Sequence, residues 1–260
     1  MDKDTGMEKA LSPLVISVSS GKGGVGKTSI AVNMAFSLAR GGLKCLLVDG
    51  DLGLANIDVL LGLTVRSTIR DVIAGDEEPS NVIVFPEPGL GVLPASSGVS
   101  DMVNLGPEDR GQIGEILGEI SHDFDCMIID TAAGIGPSVL WFNAFAGRSI
   151  VVLTPDPTSL TDAYALIKVL NREHGRKEFY LIPNMVKDER EGLQVYEGLG
   201  KVVKRFLKIT PHHLGSIPRD AEGVKAVREQ RPFLKSSPRS KAAEAIDKMS
   251  KAIASWMGHE

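Results

Sequence analysis

The 260-residue chain is poor in the features that mark several classes of protein. It has two cysteines, Cys45 and Cys126, and aromatic residues make up 5% of it. Because both cysteines lie within apolar runs and far apart, we expect reduced core thiols in a cytoplasmic protein rather than a disulfide scaffold. No apolar run approaches the roughly 18 residues of a transmembrane helix, so the sequence predicts no membrane span.

The chain also has no large excess of charge of either sign. The 29 basic and 33 acidic residues give a formal net charge of −4, which does not indicate general nucleic-acid binding. The first twelve residues include charged residues of both signs and no apolar core, so they are not typical of a signal peptide. We expect residues 1–13 to form a flexible N-terminal segment. A protein remains the best candidate partner.

What the chain does contain is glycine and aliphatic residues. Glycine occurs 28 times without a collagen-like period, and 43% of the chain is hydrophobic. This apolar content can support a packed core, and a chain of this length is near the upper limit for a single core. Valine, isoleucine, leucine and alanine dominate the apolar set, which is typical of strands buried on both faces. We therefore expect one domain over residues 14–257.

Short β-rich runs alternate with helix-length amphipathic patterns along this domain. The predicted strands are 14–19, 45–48, 82–85, 91–93, 126–130, 149–154, 179–183 and 214–217. The predicted helices are 28–40, 107–121, 137–146, 159–172, 191–206, 221–229 and 240–256. Strand–helix alternation with short connections predicts a single-domain α/β fold: a mostly parallel, twisted sheet with helices on both faces.

A glycine-rich motif between the first strand and the first helix is the strongest chemical signal. It fits the P-loop pattern G-x-x-x-x-G-K-[ST] in the expected strand–loop–helix context, and it consists of Gly21, Lys22, Gly23, Gly24, Val25, Gly26, Lys27 and Thr28. Glycines allow backbone N–H groups to point at phosphate oxygens, and the helix N-terminus adds a positive dipole. Lys27 is expected to neutralise the β- and γ-phosphates, and the Thr28 hydroxyl to bind Mg²⁺.

Lys22 is a second lysine that the general P-loop pattern does not require. With it, the run KGGVGKT resembles the deviant Walker A motif of the MinD/ParA family of P-loop ATPases, which have the SIMIBI-type fold. The resemblance implies that residues Gly21 to Ser29 bind nucleotide, with ATP and Mg²⁺ as cofactors. It also implies an ATP-bound homodimer, in which Lys22 enters the partner's site and acts catalytically like an arginine finger.

Acidic residues follow two of the predicted strands. Asp49 and Asp51 lie two residues apart in an extended segment and share one face, as two carboxylates serving one metal–water cluster would. A polar strand end is the alternative interpretation. The resemblance implies that Asp51 activates the attacking water and that Asp49 lies in the outer shell of Mg²⁺.

A third acid closes the apolar strand 126–130, which is the Walker B form. Asp130 is expected to hold a Mg²⁺-bound water. The resemblance implies that Gly134 offers its backbone N–H to the γ-phosphate. Relatives commonly have proline or glycine where this chain has Ala132 and Ala133, so the flexibility of this loop is in question.

Base recognition is predicted at two later loops. The amide of Asn184, at a strand end, can pair with the edge of adenine. The run that contains Pro218 and Asp220 resembles the family's second base-binding loop. A capping role for Asp220 before the helix at 221 is an alternative.

Two longer runs, 51–63 and 154–170, resemble the FlhG (FleN) group of flagellar-number regulators within this family, and the resemblance extends over residues 14–257. It implies an ATPase switch with a protein partner, either an FlhF-like GTPase or flagellar switch proteins. The first twelve residues do not match the Asp-Gln-Ala element common in that group. The last helix has an apolar stripe and nearly balanced charges, so we expect a terminal core helix rather than a membrane anchor.

Other functions on the same scaffold remain alternatives. They are a MinD-like positioning ATPase, a ParA-type DNA-partition ATPase, a metal-cluster carrier and a biosynthetic ligase. The absence of a C-x-x-C motif disfavours the carrier, and the net charge disfavours DNA binding. We expect a cytoplasmic protein, with peripheral contact to the inner face of the plasma membrane left open.

Overall fold

The computed structural model describes residues 13–95 and 106–258. In chain order, the strands are β1 (Leu14–Ser20), β2 (Cys45–Gly50), β3 (Val84–Glu87), β4 (Leu90–Leu93), β5 (Cys126–Ala133), β6 (Arg148–Leu153), β7 (Tyr180–Val186), β8 (His212–His213) and β9 (Ile217–Pro218). The helices are α1 (Lys27–Arg40), α2 (Ile57–Leu61), α3 (Ile69–Ile73), α4 (Pro107–Ser121), α5 (Pro137–Phe145), α6 (Pro157–His174), α7 (Glu189–Leu207), α8 (Ala221–Arg228), α9 (Phe233–Ser236) and α10 (Lys241–Ala254).

The strands form one sheet in the order β3-β4-β2-β5-β1-β6-β7-β8, and β9 pairs with the end of β7. Every pairing is parallel except that of β3 with β4. The first strand is central, because the chain moves to β2 on one side and later to β6 on the other. In open α/β sheets, ligands bind where the strand order reverses in this way, at the carboxyl ends of the strands. The mostly parallel α/β prediction is confirmed.

Helices cover both faces of the sheet. On one face, α1 and α10 pack on alternate residues of the central strands, such as Ile16 and Val18 of β1. On the other face the apolar core is divided in two. One cluster lies around α4 over β2 and β5, and the other lies around α6 and α7 over β6 and β7. Between these two clusters, β1 presents Ser17 and Ser19, which are fully buried polar residues.

The terminal helix belongs to the core, as predicted. Ala242, Ile246, Met249 and Ile253 of α10 are buried against α1 and the sheet. Trp256 lies in a short 3₁₀ turn after α10, where its ring contacts Tyr180 at 4.4 Å between centroids and lies beneath the Arg148 guanidinium. Among the described helices, none has the length and apolar character needed to cross a bilayer.

Two of the predicted strands are wrong in detail. Residues 79–82 form a 3₁₀ turn, so the strand predicted at 82–85 is shifted to Val84–Glu87. The strand predicted at 214–217 is replaced by β8 and β9, which pair with successive parts of β7, and the pairing with β9 has a register shift between Asn184 and Val186. The short helices α2, α3 and α9 were not predicted, because four or five residues are too few to show a helical period.

The two cysteines are neighbours across the sheet. Cys45 and Cys126 are register partners in β2 and β5, and both are buried and free. A hydrogen bond to Cys126, together with burial, raises the pKa of Cys45. The predicted core thiols are therefore confirmed as buried, and their proximity was not predictable from their separation in the sequence. The N-terminal segment predicted at 1–13 lies outside the described residues apart from its last position.

Candidate functional site

The P-loop connects the end of β1 to the start of α1. Gly24 and Gly26 have φ angles of 78° and 89°, which side chains other than glycine rarely adopt. A Cβ added at Gly23 or Gly24 would meet no atom within 4 Å, so the backbone there borders open space. The loop therefore presents unobstructed backbone at the N-terminus of α1, as a phosphate cradle requires.

Two other glycines of the loop are required by close packing. A Cβ on Gly21 would lie 2.2 Å from the backbone carbonyl carbon and oxygen of Asp162 in α6. A Cβ on Gly26 would lie 2.5 Å from Nδ2 of Asn184, and that amide donates a hydrogen bond of 2.7 Å to the carbonyl of Val25. The P-loop is therefore supported by α6 on one side and by the end of β7 on the other.

Lys27 and Asp130 form a buried ion pair beneath this loop. The Lys27 Nζ lies 2.7 Å from Oδ1 of Asp130 and 3.4 Å from Oγ1 of Thr28. Burial raises the pKa of Asp130, and the nearby Lys27 charge opposes that effect. The structure thus brings the predicted Walker A lysine, the magnesium-binding hydroxyl and the Walker B acid together.

Asp49 lies beside Asp130 in the register of β2 and β5 and is almost completely buried. One of its carboxylate oxygens accepts the N–H of Asp51 at 3.1 Å, and the other accepts those of Asn56 and Ile57 at 3.0 and 3.2 Å. Burial and the charge of Asp130 raise the pKa of Asp49 to about 7, against the opposing effect of these N–H donors. Asp49 therefore shapes the loop that leads into α2.

Asp51 and Gly134 lie at the ends of the neighbouring strands β2 and β5. Asp51 is half-buried, and its Oδ1 accepts the N–H of Leu54 at 3.2 Å. Gly134 has a φ of 94°, and its N–H donates to the carbonyl of Ser20 at 2.8 Å. For Gly134 to meet a phosphate as predicted, this bond to Ser20 must be exchanged.

Lys22 points away from the phosphate cradle of its own chain. Its Nζ contacts Oδ1 of Asp156 at 3.1 Å and Oγ1 of Thr158 at 2.7 Å, and its side chain is 43% exposed. Asp156 is the N-cap of α6 and accepts the N–H of Ser159. Hydrogen bonds from Thr154, Thr158 and Ser159, and then from Lys22, hold the pKa of Asp156 well below its usual range.

Two adjoining cavities open beside the P-loop. The larger, about 670 Å³, lies along Lys22 to Val25 and faces Asp156 and Arg219. The second, about 340 Å³, is lined mainly by apolar groups and includes Ser29, Asn184, Pro218 and Asp220. The predicted base-binding residues therefore line one pocket next to the cradle, with the dimensions and polarity of a small-molecule site.

Comparisons with known proteins agree with this geometry. The ParA family model, described as NUBPL iron-transfer P-loop NTPase, matches residues 13–254. The antiactivator FleN of Pseudomonas aeruginosa is 44% identical over 242 residues, which cover 93% of this chain and 86% of that protein. The chain belongs to the ParA/MinD family of P-loop NTPases.

A second relative and a solved structure extend this result. The flagellum site-determining protein YlxH of Helicobacter pylori is 36% identical over 92% of this chain and 81% of its own. The septum site-determining protein MinD of Pyrococcus horikoshii, solved in complex with Mg-ADP, superposes with a TM-score of 0.79. It is 26% identical, and the match covers 95% of this chain and 98% of that one.

The residues of this ParA/MinD chain fit a magnesium nucleotide. The cradle has open glycine backbone, and the Thr28 hydroxyl and the Asp130 and Asp49 carboxylates supply the hard oxygen donors that Mg²⁺ prefers. When bound, Mg²⁺ would offset the negative charge of the phosphates. Lys27 is already placed to exchange its contact with Asp130 for a phosphate oxygen.

Asp220 is held by backbone contacts. Its Oδ1 accepts the N–H of Glu222 at 3.0 Å and its Oδ2 that of Ala242 at 3.3 Å. The capping alternative is therefore what the geometry supports, while contact with the base stays a prediction.

Sequence reasoning did not identify Met185 or Asp156 as site residues. Met185 has a φ of 57° and lines both cavities, and nothing in the sequence indicates that strained conformation. The Asp-Pro-Thr-Ser run at 156–159 is typical of a helix N-terminus. Its contact with Lys22 depends on how α6 packs against the P-loop.

Proposed function

We propose that this chain is an ATP-binding and ATP-hydrolysing switch that dimerises when ATP is bound and regulates the number or placement of flagella. The observation that carries the proposal is Lys22. It is an additional P-loop lysine, and its ammonium group contacts Asp156 and Thr158 instead of the cradle that Lys27 already serves. A cation at the mouth of the site, held by one exposed ion pair worth about 1 kcal/mol or less, is free to enter a partner's site.

The proposed reaction is ATP + H₂O to ADP and phosphate. Lys27 and the P-loop amides would hold the phosphates, and Asp51 would orient and deprotonate the attacking water. Lys22 of the partner subunit would stabilise the charge on the transferring phosphoryl group, as an arginine finger does. Hydrolysis would then depend on dimerisation, because neither subunit has this cation in its own cradle.

The flagellar role is supported by the relatives. One is named an antiactivator, FleN, and another is named a flagellum site-determining protein, YlxH, and each covers more than nine-tenths of this chain. The partner would be an FlhF-like GTPase or a flagellar switch protein. The switch would act in the cytoplasm, with peripheral membrane contact as a further possibility for its ATP-bound form.

A MinD-like positioning role is the second candidate, favoured by the superposition on MinD. A metal-cluster carrier has weaker support, although the description of the matching family model mentions iron transfer. Both cysteines of this chain are buried side by side in the sheet. Neither thiol is placed to bind a cluster at a subunit surface. A DNA-partition role is disfavoured by the net charge of −4.

The test combines an ATPase assay with size-exclusion chromatography in Mg-ATP. Wild type should elute as a dimer with ATP and as a monomer with ADP. Lys22→Ala should lose hydrolysis by about a thousandfold or more, which matches the lower end of the range for arginine-finger loss. Asp51→Ala should bind ATP and stay dimeric without hydrolysing it. Lys44→Ala removes an exposed lysine of the loop between α1 and β2, at the other end of α1 from the P-loop, and should behave as wild type.

Two results would contradict the switch. Wild type could remain monomeric in ATP, or Lys22→Ala could hydrolyse ATP at the wild-type rate. The flagellar role has its own test, which is affinity capture with the ATP-trapped Asp51→Ala dimer in a flagellated host. Recovery of a signal-recognition-type GTPase or of flagellar switch proteins supports it. Recovery of division-site proteins supports the MinD-like alternative instead.

A further inference from the structure

A connected group of buried polar side chains lies directly beneath the P-loop. It consists of Ser17, Ser19, Thr131, Asn143 and Ser149, each with 0% exposure. They come from three adjacent strands and from α5, and they lie between the two apolar clusters on that face of the sheet. We call these five residues the polar seam. Burying such groups is costly unless their hydrogen bonds are made.

Asn143 is the centre of the polar seam. Its Oδ1 accepts from Ser17 Oγ at 2.8 Å, and its Nδ2 donates to Ser19 Oγ and to the carbonyl of Val139, both at 2.8 Å. Thr131 Oγ1 lies 3.0 Å from Ser19 Oγ. Because the two ends of an amide have opposite roles, these contacts fix both the distance and the orientation of α5 relative to β1.

Both functional loops start from residues that the polar seam holds. On β1, Ser19 is followed by Ser20, whose hydroxyl donates to the carbonyl of Lys22 at 2.9 Å. On β5, Thr131 directly follows Asp130 and lies three residues before Gly134, where the loop after β5 begins. The polar seam therefore ties the base of the P-loop to the base of the loop that is expected to meet the γ-phosphate.

The loop 134–136 is held at its other end as well. It leads into α5, which begins at Pro137 and carries Asn143. The carbonyl end of α5 is bound by Arg176, which donates to the carbonyls of Asn143 at 2.6 Å and of Gly147 at 3.0 Å. Both anchors of this loop, Thr131 before it and α5 after it, therefore converge on Ser19 of the central strand.

We propose that Asn143 is a positioning residue that sets the place of the loop 134–136 relative to the P-loop, and thereby the preference of the site for nucleoside triphosphate over diphosphate. The inference rests on the proposed function in one respect, that Gly134 meets the γ-phosphate. ADP has no γ-phosphate and would contact the P-loop but not Gly134. Its binding should therefore not depend on the position of the loop that carries Gly134. An apolar residue at 143 would fill the space but could not orient α5.

The test measures the affinities of a non-hydrolysable ATP analogue, AMPPNP, and of ADP, each with Mg²⁺, by calorimetry. All variants are made in the Lys22→Ala protein, so that dimerisation does not contribute to the ratio of affinities. Asn143→Leu keeps the side-chain size and removes all three hydrogen bonds of the amide. It should lower the AMPPNP-to-ADP affinity ratio about tenfold, equivalent to one charge-assisted hydrogen bond, while ADP affinity stays within about threefold.

Two control variants distinguish the loss of loop positioning from a general loss of stability. Val139→Ala removes apolar packing one turn away on α5, where Val139 is 1% exposed. Ser149→Ala removes an outer member of the polar seam, whose hydroxyl lies 3.2 Å from Ser17 Oγ. Both should lower the melting temperature without changing the ratio. If Asn143→Leu does not fold, Thr131→Val removes the contact on the β5 side and should give the same loss.

Three outcomes would overturn the inference. The ratio could be unchanged in Asn143→Leu, or in Thr131→Val where that variant stands in for it. It could fall equally in Val139→Ala, or the parent could show no preference for AMPPNP over ADP. None of these outcomes bears on ATP-dependent dimerisation or hydrolysis, which are measured on the chain with Lys22 intact. The two proposals can therefore fail separately.

Discussion

Asp49 provides a quantitative test of the site, because its carboxylate is buried beside that of Asp130. In the folded protein the pKa of Asp49 is raised from 3.8 to about 7, mainly by burial. The folded state therefore binds this proton more tightly than the unfolded state does. The associated stabilisation is complete below about pH 4 and is lost as the pH rises through about 7. The full difference corresponds to about 4 kcal/mol, at about 1.4 kcal/mol per pKa unit.

Part of this change in the free energy of unfolding falls in a pH range that is convenient for measurement. Between about pH 5.5 and about pH 8, Asp49 should lower the free energy of unfolding by about 2 kcal/mol. Asp49→Asn has no proton to lose and should lack this part of the pH dependence. The variant also loses acceptors for backbone N–H groups, at about 1 to 3 kcal/mol. That cost is the same at both pH values, so it cancels in the comparison of slopes.

The assay is denaturant unfolding without nucleotide and with EDTA, followed by the fluorescence of Trp141 and Trp256. Extrapolated free energies of unfolding at the two pH values give one difference for wild type and one for Asp49→Asn. Asp76→Asn removes an exposed carboxylate by the same substitution and controls for net charge. If wild type and Asp49→Asn show the same pH dependence within about 0.5 kcal/mol, Asp49 is not the buried, proton-binding group described here.

Three further substitutions, the first with a matched control, test the packing around the site. Gly21→Ala places a Cβ 2.2 Å from the α6 backbone and should lower the free energy of unfolding by at least about 3 kcal/mol in chemical unfolding. The control, Gly23→Ala, places a Cβ that meets no atom within 4 Å and should change the free energy of unfolding by less than about 1 kcal/mol. Gly26→Ala must adopt a φ of 89° and displace Asn184, so calorimetry should show nucleotide binding weakened about tenfold or more. Arg176→Ala leaves carbonyls at the end of α5 without their donor and should lower the free energy of unfolding by about 1 to 3 kcal/mol.

For each of these three predictions, one result would contradict the packing described above. Equal stability of Gly21→Ala and Gly23→Ala would mean that α6 does not pack against the P-loop as described. Unchanged nucleotide affinity in Gly26→Ala would contradict the left-handed conformation at that position. Wild-type stability in Arg176→Ala would show that water replaces the guanidinium at the helix end without cost.

The order and type of the main elements followed from sequence periodicity. Helix 107–121 was predicted without error at its ends, because a proline at the helix start is a local signal. Strand 126–130 was predicted with the correct start, from its buried run, but β5 continues to Ala133. The double strand β8 and β9 was not predictable in this way. Each has two residues, and they are defined only by pairing with successive parts of β7.

The residues of the candidate site, too, were predictable from the sequence only in part. The spacing of Gly21 to Thr28 identified the phosphate cradle, since that chemistry depends on consecutive residues. Asp49 and Asp130 were each assigned a role near the metal, and the structure places them as register partners. The effect of Asp130 on the pKa of Asp49 depends on the sheet order, which no local pattern contains.

By itself, the sequence predicted a phosphate-binding loop between a strand and a helix, because a P-loop is a property of eight adjacent residues and of the strand and helix that flank them. The central position of that strand came from the sheet order. The tertiary structure alone decided the partners of those residues. Lys22 rests on Asp156, Asn184 supports Gly26, and Asn143 joins the P-loop strand to the loop of Gly134. These contacts join residues more than 120 positions apart, as the 124 positions between Ser19 and Asn143 illustrate. Only the packing of helices on a finished sheet can bring such residues together.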